Sequence, residues 1–271
     1  MDYKNYIQLT ISQGINFSIG QAIKDGFAHL GKNVGLYIGF TVVAFFIIAA
    51  AAVFSMFVPL VGNFALTVLV LPPLMMGYAL FARSTMLNHN PGFETFFDGF
   101  KTNYGQLIVV NLILQIIQSV LSLVFLSPII ADFVPLFQDV LASGQDPELI
   151  NDLAAEMVTI FIENWWAFAL TILVSIVIQV LYLLSNYFVI FYGFGFWEAM
   201  ESSRQLITRV FFKIIILNIL VSLIMFVGII VTLGIGLLFL FPLSMLINFS
   251  VFTQIAGFAD GEHVIENDLI I

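Results

Sequence analysis

The side chains able to do chemistry in the apolar stretches of this chain are amides and hydroxyls, and they fall in stripes. Asn111, Gln115, Gln118 and Ser122 recur at i, i+4, i+7 and i+11, the spacing of one helix face. Thr171, Ser175, Gln179, Tyr182 and Asn186 form a second stripe, followed by Asn218 with Ser222 and Ser244 with Asn248. A primary amide facing hydrocarbon keeps its donors and acceptors unsatisfied, so these faces must turn toward one another. Two uses stay open. The amides are structural glue, with interhelical bonds worth roughly 0.6–2 kcal/mol each, or they line a polar cavity for a headgroup or small solute. Asn111, Gln115, Gln118, Ser122, Ser175, Gln179, Asn186, Asn218 and Asn248 are the candidate polar centre.

Other chemistry is missing. The interiors of the apolar stretches hold no Asp, Glu or His, and Arg83 and Lys213 lie near their ends, where long stems snorkel. That excludes a proton relay, a charged ion path and a voltage sensor. His29, His89 and His263 are scattered outside these stretches without ligand spacing, and three histidines cannot build a four-histidine iron site. No HExxH, GxSxG or P-loop pattern occurs. The chain has no cysteine, which excludes disulfides and thiolate metal sites. Glu198 and Glu201, three apart beside Arg204, read as surface pairing. No enzymatic activity, metal or cofactor is expected.

The elements that carry these stripes follow from composition. The chain is 61% hydrophobic and 9% charged, with mean hydropathy +1.08. A soluble domain carries about 25% charged residues, so most of this surface must face lipid. A spanning helix needs about 20 apolar residues. Spans are expected over 34–57, 62–87, 105–130, 165–191, 211–231 and 234–257, giving an all-α bundle of six transmembrane helices in one integral membrane domain, 1–271. The first span follows a mostly polar leader too long for a cleavable signal peptide, so none is expected.

Charge sets the orientation. The eight basic residues are Lys4, Lys24, Lys32, Arg83, Lys101, Arg204, Arg209 and Lys213. They occupy the N-terminal segment and the second and fourth connections, and none falls in the first, third or fifth. Cytoplasmic loops retain Lys and Arg, so both termini are expected in the cytoplasm. Trp165 and Trp166 then sit at the outer interface and Trp197 near the inner one. No basic patch suits nucleic acid.

A weak repeat precedes the odd spans. Asp25-Gly26-Phe27 and Asp98-Gly99-Phe100 recur, and Glu201-Ser202-Ser203 takes their place before the fifth. Gln21–Lys32, Phe93–Asn103 and Trp197–Arg209 are expected to be short interfacial helices, each feeding a membrane hairpin, in units 17–88, 91–164 and 194–258. The alternative, that any multi-pass protein carries such juxtamembrane helices, stays open. Lys24, Lys32, Lys101, Arg204 and Arg209 lie on these segments and are the candidate lipid-headgroup contacts.

The long third connection is acidic (Asp132, Asp139, Asp146, Glu148, Asp152, Glu156, Glu163). Asp146-Pro147-Glu148 reads as a helix start. Leu149, Leu153, Met157, Ile160 and Phe161 follow at helical spacing, so an amphipathic helix is expected on the outer surface, as a cover or as a docking site for a basic partner. The acidic tail Asp260–Ile271 reads as a frayed terminus or a partner-binding segment. Pro72-Pro73 and Pro242 are expected to kink their spans, each preceded by glycine.

Two segments carry a family resemblance. FSIGQAIKDGFAHLGKNVGLYIG (Phe17–Gly39) and GFWEAMESSRQLITRVFFKIIILNIL (Gly195–Leu220), with the later Gly234–Leu243, resemble a broad group of bacterial inner-membrane proteins. It includes the YciC-like proteins and the membrane domain fused to some glycerophosphodiester phosphodiesterases. The resemblance covers nearly the whole chain and implies six spans in a bacterial inner membrane. The phosphodiesterase catalytic domain has no counterpart here, so that activity does not carry over. The expected role is a non-enzymatic scaffold or accessory protein in envelope or lipid homeostasis. The alternative is a transporter or lipid-handling protein that uses the amide-lined centre. Membrane lipids are the expected partners, with other membrane-protein subunits a further class; the oligomeric state stays open.

Overall fold

The computed structural model describes residues 7, 10–12, 14–142 and 147–256. Asp146 and the tail Asp260–Ile271 lie outside them. Among the described residues every regular element is helical, and six helices are long and apolar enough to cross a membrane. They cover Val34–Phe57, Val61–Met86, Tyr104–Gln138, Trp165–Tyr192, Phe196–Val231 and Leu237–Ile255.

The elements are α1 (Ile19–Lys32), α2 (Val34–Phe57), α3 (Pro59–Ala65), α4 (Leu71–Met86), α5 (Tyr104–Ala142), α6 (Pro147–Glu163), α7 (Trp165–Leu181), α8 (Ser185–Tyr192), α9 (Phe196–Val231) and α10 (Leu237–Ile255). A π-helical turn, Leu66–Val70, joins α3 to α4, and a 3-10 segment, Phe93–Phe100, precedes α5. The chain divides into two compact units, residues 1–112 with 180–271, and residues 113–179.

In the first unit, Ser18 caps α1: its hydroxyl accepts from the Gln21 backbone N–H at 3.4 Å. Ala22, Gly26 and Leu30, four apart, make the buried stripe of α1, which lies on α10. Gly26 is required there. A Cβ at this position would stand 2.5 Å from Ile247 Cγ1. The expected helix is thus present, and Ala22, Gly26 and Leu30 of its apolar face are covered by protein rather than by headgroups.

The expected helix Phe93–Asn103 is corrected. The chain forms the 3-10 segment Phe93–Phe100 and turns through residues 101–103. In a 3-10 helix residues three apart eclipse, and the aromatics of Phe-Glu-Thr-Phe-Phe-Asp-Gly-Phe fall at that spacing. Phe96 is fully buried and stacks on Phe40 and Phe81, with centroids 4.3 Å away in each case. Tyr37 and Tyr78 meet its ring edge-on at 5.6 and 6.1 Å. A Cβ on Gly99 would lie 2.3 Å from the Pro73 carbonyl oxygen, so only glycine permits the contact with α4.

Three spans are interrupted, and side chains repair two of the breaks. Pro73 has no N–H to offer Leu69, and the Tyr104 hydroxyl donates to that carbonyl at 3.0 Å. The fourth span is broken at residues 182–184, where Ser203 donates to the Leu181 carbonyl at 2.8 Å and accepts from the Leu184 N–H at 3.1 Å. The fifth bends at Val210 (φ −121°, ψ 15°), so the segment expected as a separate interfacial helix is the first part of α9.

The second unit holds most of α5, with α6 and most of α7. The third span does not end near residue 130. Its helix continues past Pro128 and Pro135 to Ala142, which puts Asp132 and Asp139 on a helix rather than in a loop. Ser127 donates to the Val124 carbonyl at 2.8 Å, the acceptor that Pro128 leaves without its usual partner. The expected outer helix is α6, with Met157, Phe161 and Ile162 exposed and Phe161 stacked on Phe168 at 4.4 Å.

Candidate functional site

The amides of the spans are placed by two different surroundings. In the first unit, α5 starts beside α8. Asn103, held at φ +48°, donates to the Val189 carbonyl at 3.0 Å, and Gln106 Oε1 accepts from the Phe196 N–H at 2.9 Å. These two bonds tie the start of α5 to the loop before α9 and to the last turns of the fourth span. One turn further along, Asn111 Nδ2 donates to Asn186 Oδ1 at 3.0 Å, and Asn186 Nδ2 returns a longer bond to Asn111 Oδ1 at 3.4 Å. Asn111 also donates to the Leu107 carbonyl at 2.8 Å. Both amides are half-buried, and bonding each to the other removes the cost of exposing them to hydrocarbon.

In the second unit, Gln118 Nε2 donates to the Ser175 hydroxyl, which passes its own proton to the Thr171 carbonyl. Gln118 also reaches Ser122 at 3.4 Å. The side-chain chain Gln118–Ser175–Thr171 therefore links α5 to α7.

Four of the candidate amides do not join such pairs. Gln115 bonds only to Ser119 of its own helix, at 3.5 Å, because its stripe position is rotated away from that of Gln118. Gln179 is exposed and makes no hydrogen bond among the described residues, which corrects the expectation that its whole stripe turns inward. A stripe built on four-residue steps drifts about 40° per step, so Gln179 stands about 80° round the helix from Thr171. Asn218 and Asn248 are half-buried and likewise bond to nothing among the described residues.

The basic candidates are all exposed. Lys101 pairs with Asp98 at 2.9 Å. Arg204 is held by Glu201 through two bonds, Nε at 2.9 Å and Nη2 at 2.6 Å, the bidentate fork expected of Arg with a carboxylate. Gln205 Nε2 adds a 2.7 Å bond to Glu201 Oε1. Lys24, Lys32 and Arg209 make no ion pair among the described residues. Lys213 donates to the Phe17 carbonyl at 3.2 Å.

Sequence reasoning missed several contributors. Tyr104, Asn103 and Ser203 serve broken backbone, and a usable signal was present: each stands near the start of an odd span, while prolines or a Leu-Leu-Ser step interrupt the preceding even one. His29 was passed over as scattered. Its ring meets that of Phe249 at a tilt of 59°, centroids 5.8 Å apart, and burial pushes its imidazole below the usual range, with Lys32 adding to the shift and Asp25 opposing it. The Tyr37 hydroxyl is buried among rings without a hydrogen-bond partner. Among the described residues no group of His, Cys, Asp and Glu could hold a metal ion. No family model matches this chain, and neither a curated protein nor a solved structure matches it.

Proposed function

We propose that this chain is a non-enzymatic scaffold or accessory protein of a bacterial inner membrane, akin to the YciC-like group, with both termini in the cytoplasm and a role in envelope or lipid homeostasis. The observation that carries the reading is the reciprocal pair of Asn111 and Asn186, at 3.0 and 3.4 Å. A transporter keeps polar side chains available to a solute, whereas here the paired amides spend their hydrogen bonds on one another. The Gln118–Ser175 bond supports the same reading in the second unit. The aromatic cluster around Phe96 adds to it, since close-packed rings leave no aqueous route between α2, α4 and the 3-10 segment.

One observation favours the second reading, a transporter or lipid-handling protein: the amides of Asn218 and Asn248 bond to nothing among the described residues. Cysteine accessibility separates the two. The chain has no native cysteine, so single replacements at positions 111, 118, 186, 218 and 248 are labelled cleanly. A scaffold leaves all five unreactive to membrane-impermeant thiol reagents from either side. Rapid labelling of positions 218 and 248 from one side would overturn the scaffold in favour of a solute path.

A further inference from the structure

Ile11, Arg204, Gln205, Thr208 and Arg209 line a groove of about 380 Å³ in the first unit. Its charge is set by three groups. Arg204 is neutralised by Glu201, which grips one edge of the guanidinium, and Arg209 makes no ion pair among the described residues. Among the described residues the groove therefore keeps one uncompensated positive charge. A guanidinium has five N–H donors, and Glu201 takes two from Arg204. The remaining donors of both arginines suit the oxygens of a singly charged phosphodiester. The rest of the lining offers the opposite capacity. Thr208 Oγ1 donates to the Arg204 carbonyl, and Gln205 Nε2 donates to Glu201, so the Thr208 and Gln205 oxygens are left as acceptors. An anionic group flanked by hydroxyl donors satisfies both halves.

The position of the groove selects its source. It lies on the part of α9 before the bend at Val210. Trp197, on the same segment, is 68% exposed, as a ring at headgroup level would be. Immediately beyond the bend, Phe212, Ile216 and Ile219 are exposed on a span apolar enough to cross a membrane. A polar groove that opens onto an apolar strip fits an amphiphile, and a free phosphate would leave the strip unused. We propose that this groove seats the phosphodiester headgroup of an anionic, hydroxyl-bearing phospholipid, with acyl chains along Phe212 and Ile216. The proposal rests on the membrane reading but not on the scaffold role, and the accessibility experiment above and the one below can each fail alone.

The test is native mass spectrometry of the full chain in mild detergent, titrated with phosphatidylglycerol and with phosphatidylcholine. Phosphatidylglycerol should be retained more strongly, since choline carries no hydrogen-bond donor and a positive charge. Arg209→Gln should weaken phosphatidylglycerol binding about five-fold, the effect of one Arg near an anionic surface. Should Arg209→Gln unfold, Arg209→Met, which keeps the apolar stem and loses the charge, carries the same test in the same direction. Unchanged phosphatidylglycerol binding by the Arg209 variant, or equal retention of the two lipids, would overturn the proposal. So would full displacement of the lipid by millimolar inorganic phosphate, which would make the groove a site for a free anion.

Discussion

The reciprocal amide pair has a consequence for stability. Removing one partner leaves the other amide in the span with its main partner gone, and an unmade bond costs more than a made one contributes. Asn111→Leu should therefore destabilise the folded protein by about 1–3 kcal/mol, and Asn186→Leu by a similar amount. The double variant Asn111→Leu/Asn186→Leu should recover part of the loss, because both polar groups are then gone. The coupling energy from the cycle should fall in the range of roughly 0.6–2 kcal/mol measured for interhelical bonds in membranes. Thermal unfolding of the four proteins in one detergent measures it. Additive losses would mean that the two amides do not depend on each other. At this scale the sequence was only half legible. Helical spacing puts Asn111 and Gln118 on an inward stripe, but four-residue steps drift round the helix, and Gln179 has drifted out of the face that Thr171 and Ser175 share.

Between elements, the two Asp-Gly-Phe motifs lead to unlike contacts. Each glycine lets a segment before an odd span touch an even span: Gly26 meets α10 at Ile247, and Gly99 meets α4 at Pro73. The obstacles differ in kind. At Gly26 the nearest atom, Ile247 Cγ1 at 2.5 Å, belongs to a side chain, and the Ile247 backbone stands off at 3.1 Å, whereas at Gly99 the nearest atom is the Pro73 carbonyl oxygen, backbone, at 2.3 Å. Gly99→Ala should therefore cost about 1–3 kcal/mol, the scale of an overpacked core, and Gly26→Ala distinctly less, offset by the better helix propensity of alanine. Gly35→Ala, with nothing within 4 Å, serves as the neutral control. Melting temperatures order the three, and equal shifts for Gly26→Ala and Gly99→Ala would remove the distinction between yielding and fixed neighbours. The long apolar helices were readable because hydropathy alone demands them. The 3-10 segment was not. Its aromatics fit a helical face as well as a three-residue repeat, and only the rings of Tyr37, Phe40, Tyr78 and Phe81 around Phe96 decide between them. The continuation of α5 past Pro128 was hidden for a similar reason, since the hydroxyl that offsets the proline comes from the adjacent Ser127.

For the molecule as a whole, the distribution of charge is the property that packing does not record. Helix lengths and burial are the same whichever way the protein threads a bilayer, so orientation must be argued from translocation. Lys and Arg resist crossing far more than Asp and Glu do. Here the third connection carries acids and no base, while every base lies in the N-terminal segment, in the second connection, or on the spans bordering the second and fourth connections. An even number of spans then returns both ends to one side, and the six membrane-length helices supply that parity. Single cysteines at positions 144 and 263, in a chain that has none of its own, test the inference directly. In intact cells an impermeant maleimide should label position 144 and spare position 263 until the membrane is opened. The reverse pattern would invert the protein, move Arg204 and Arg209 to the outer leaflet, and remove the inner-leaflet setting from the lipid groove. Labelling of both positions in intact cells would mean an even number of crossings between them, so that one of the last three spans lies along the membrane instead of through it.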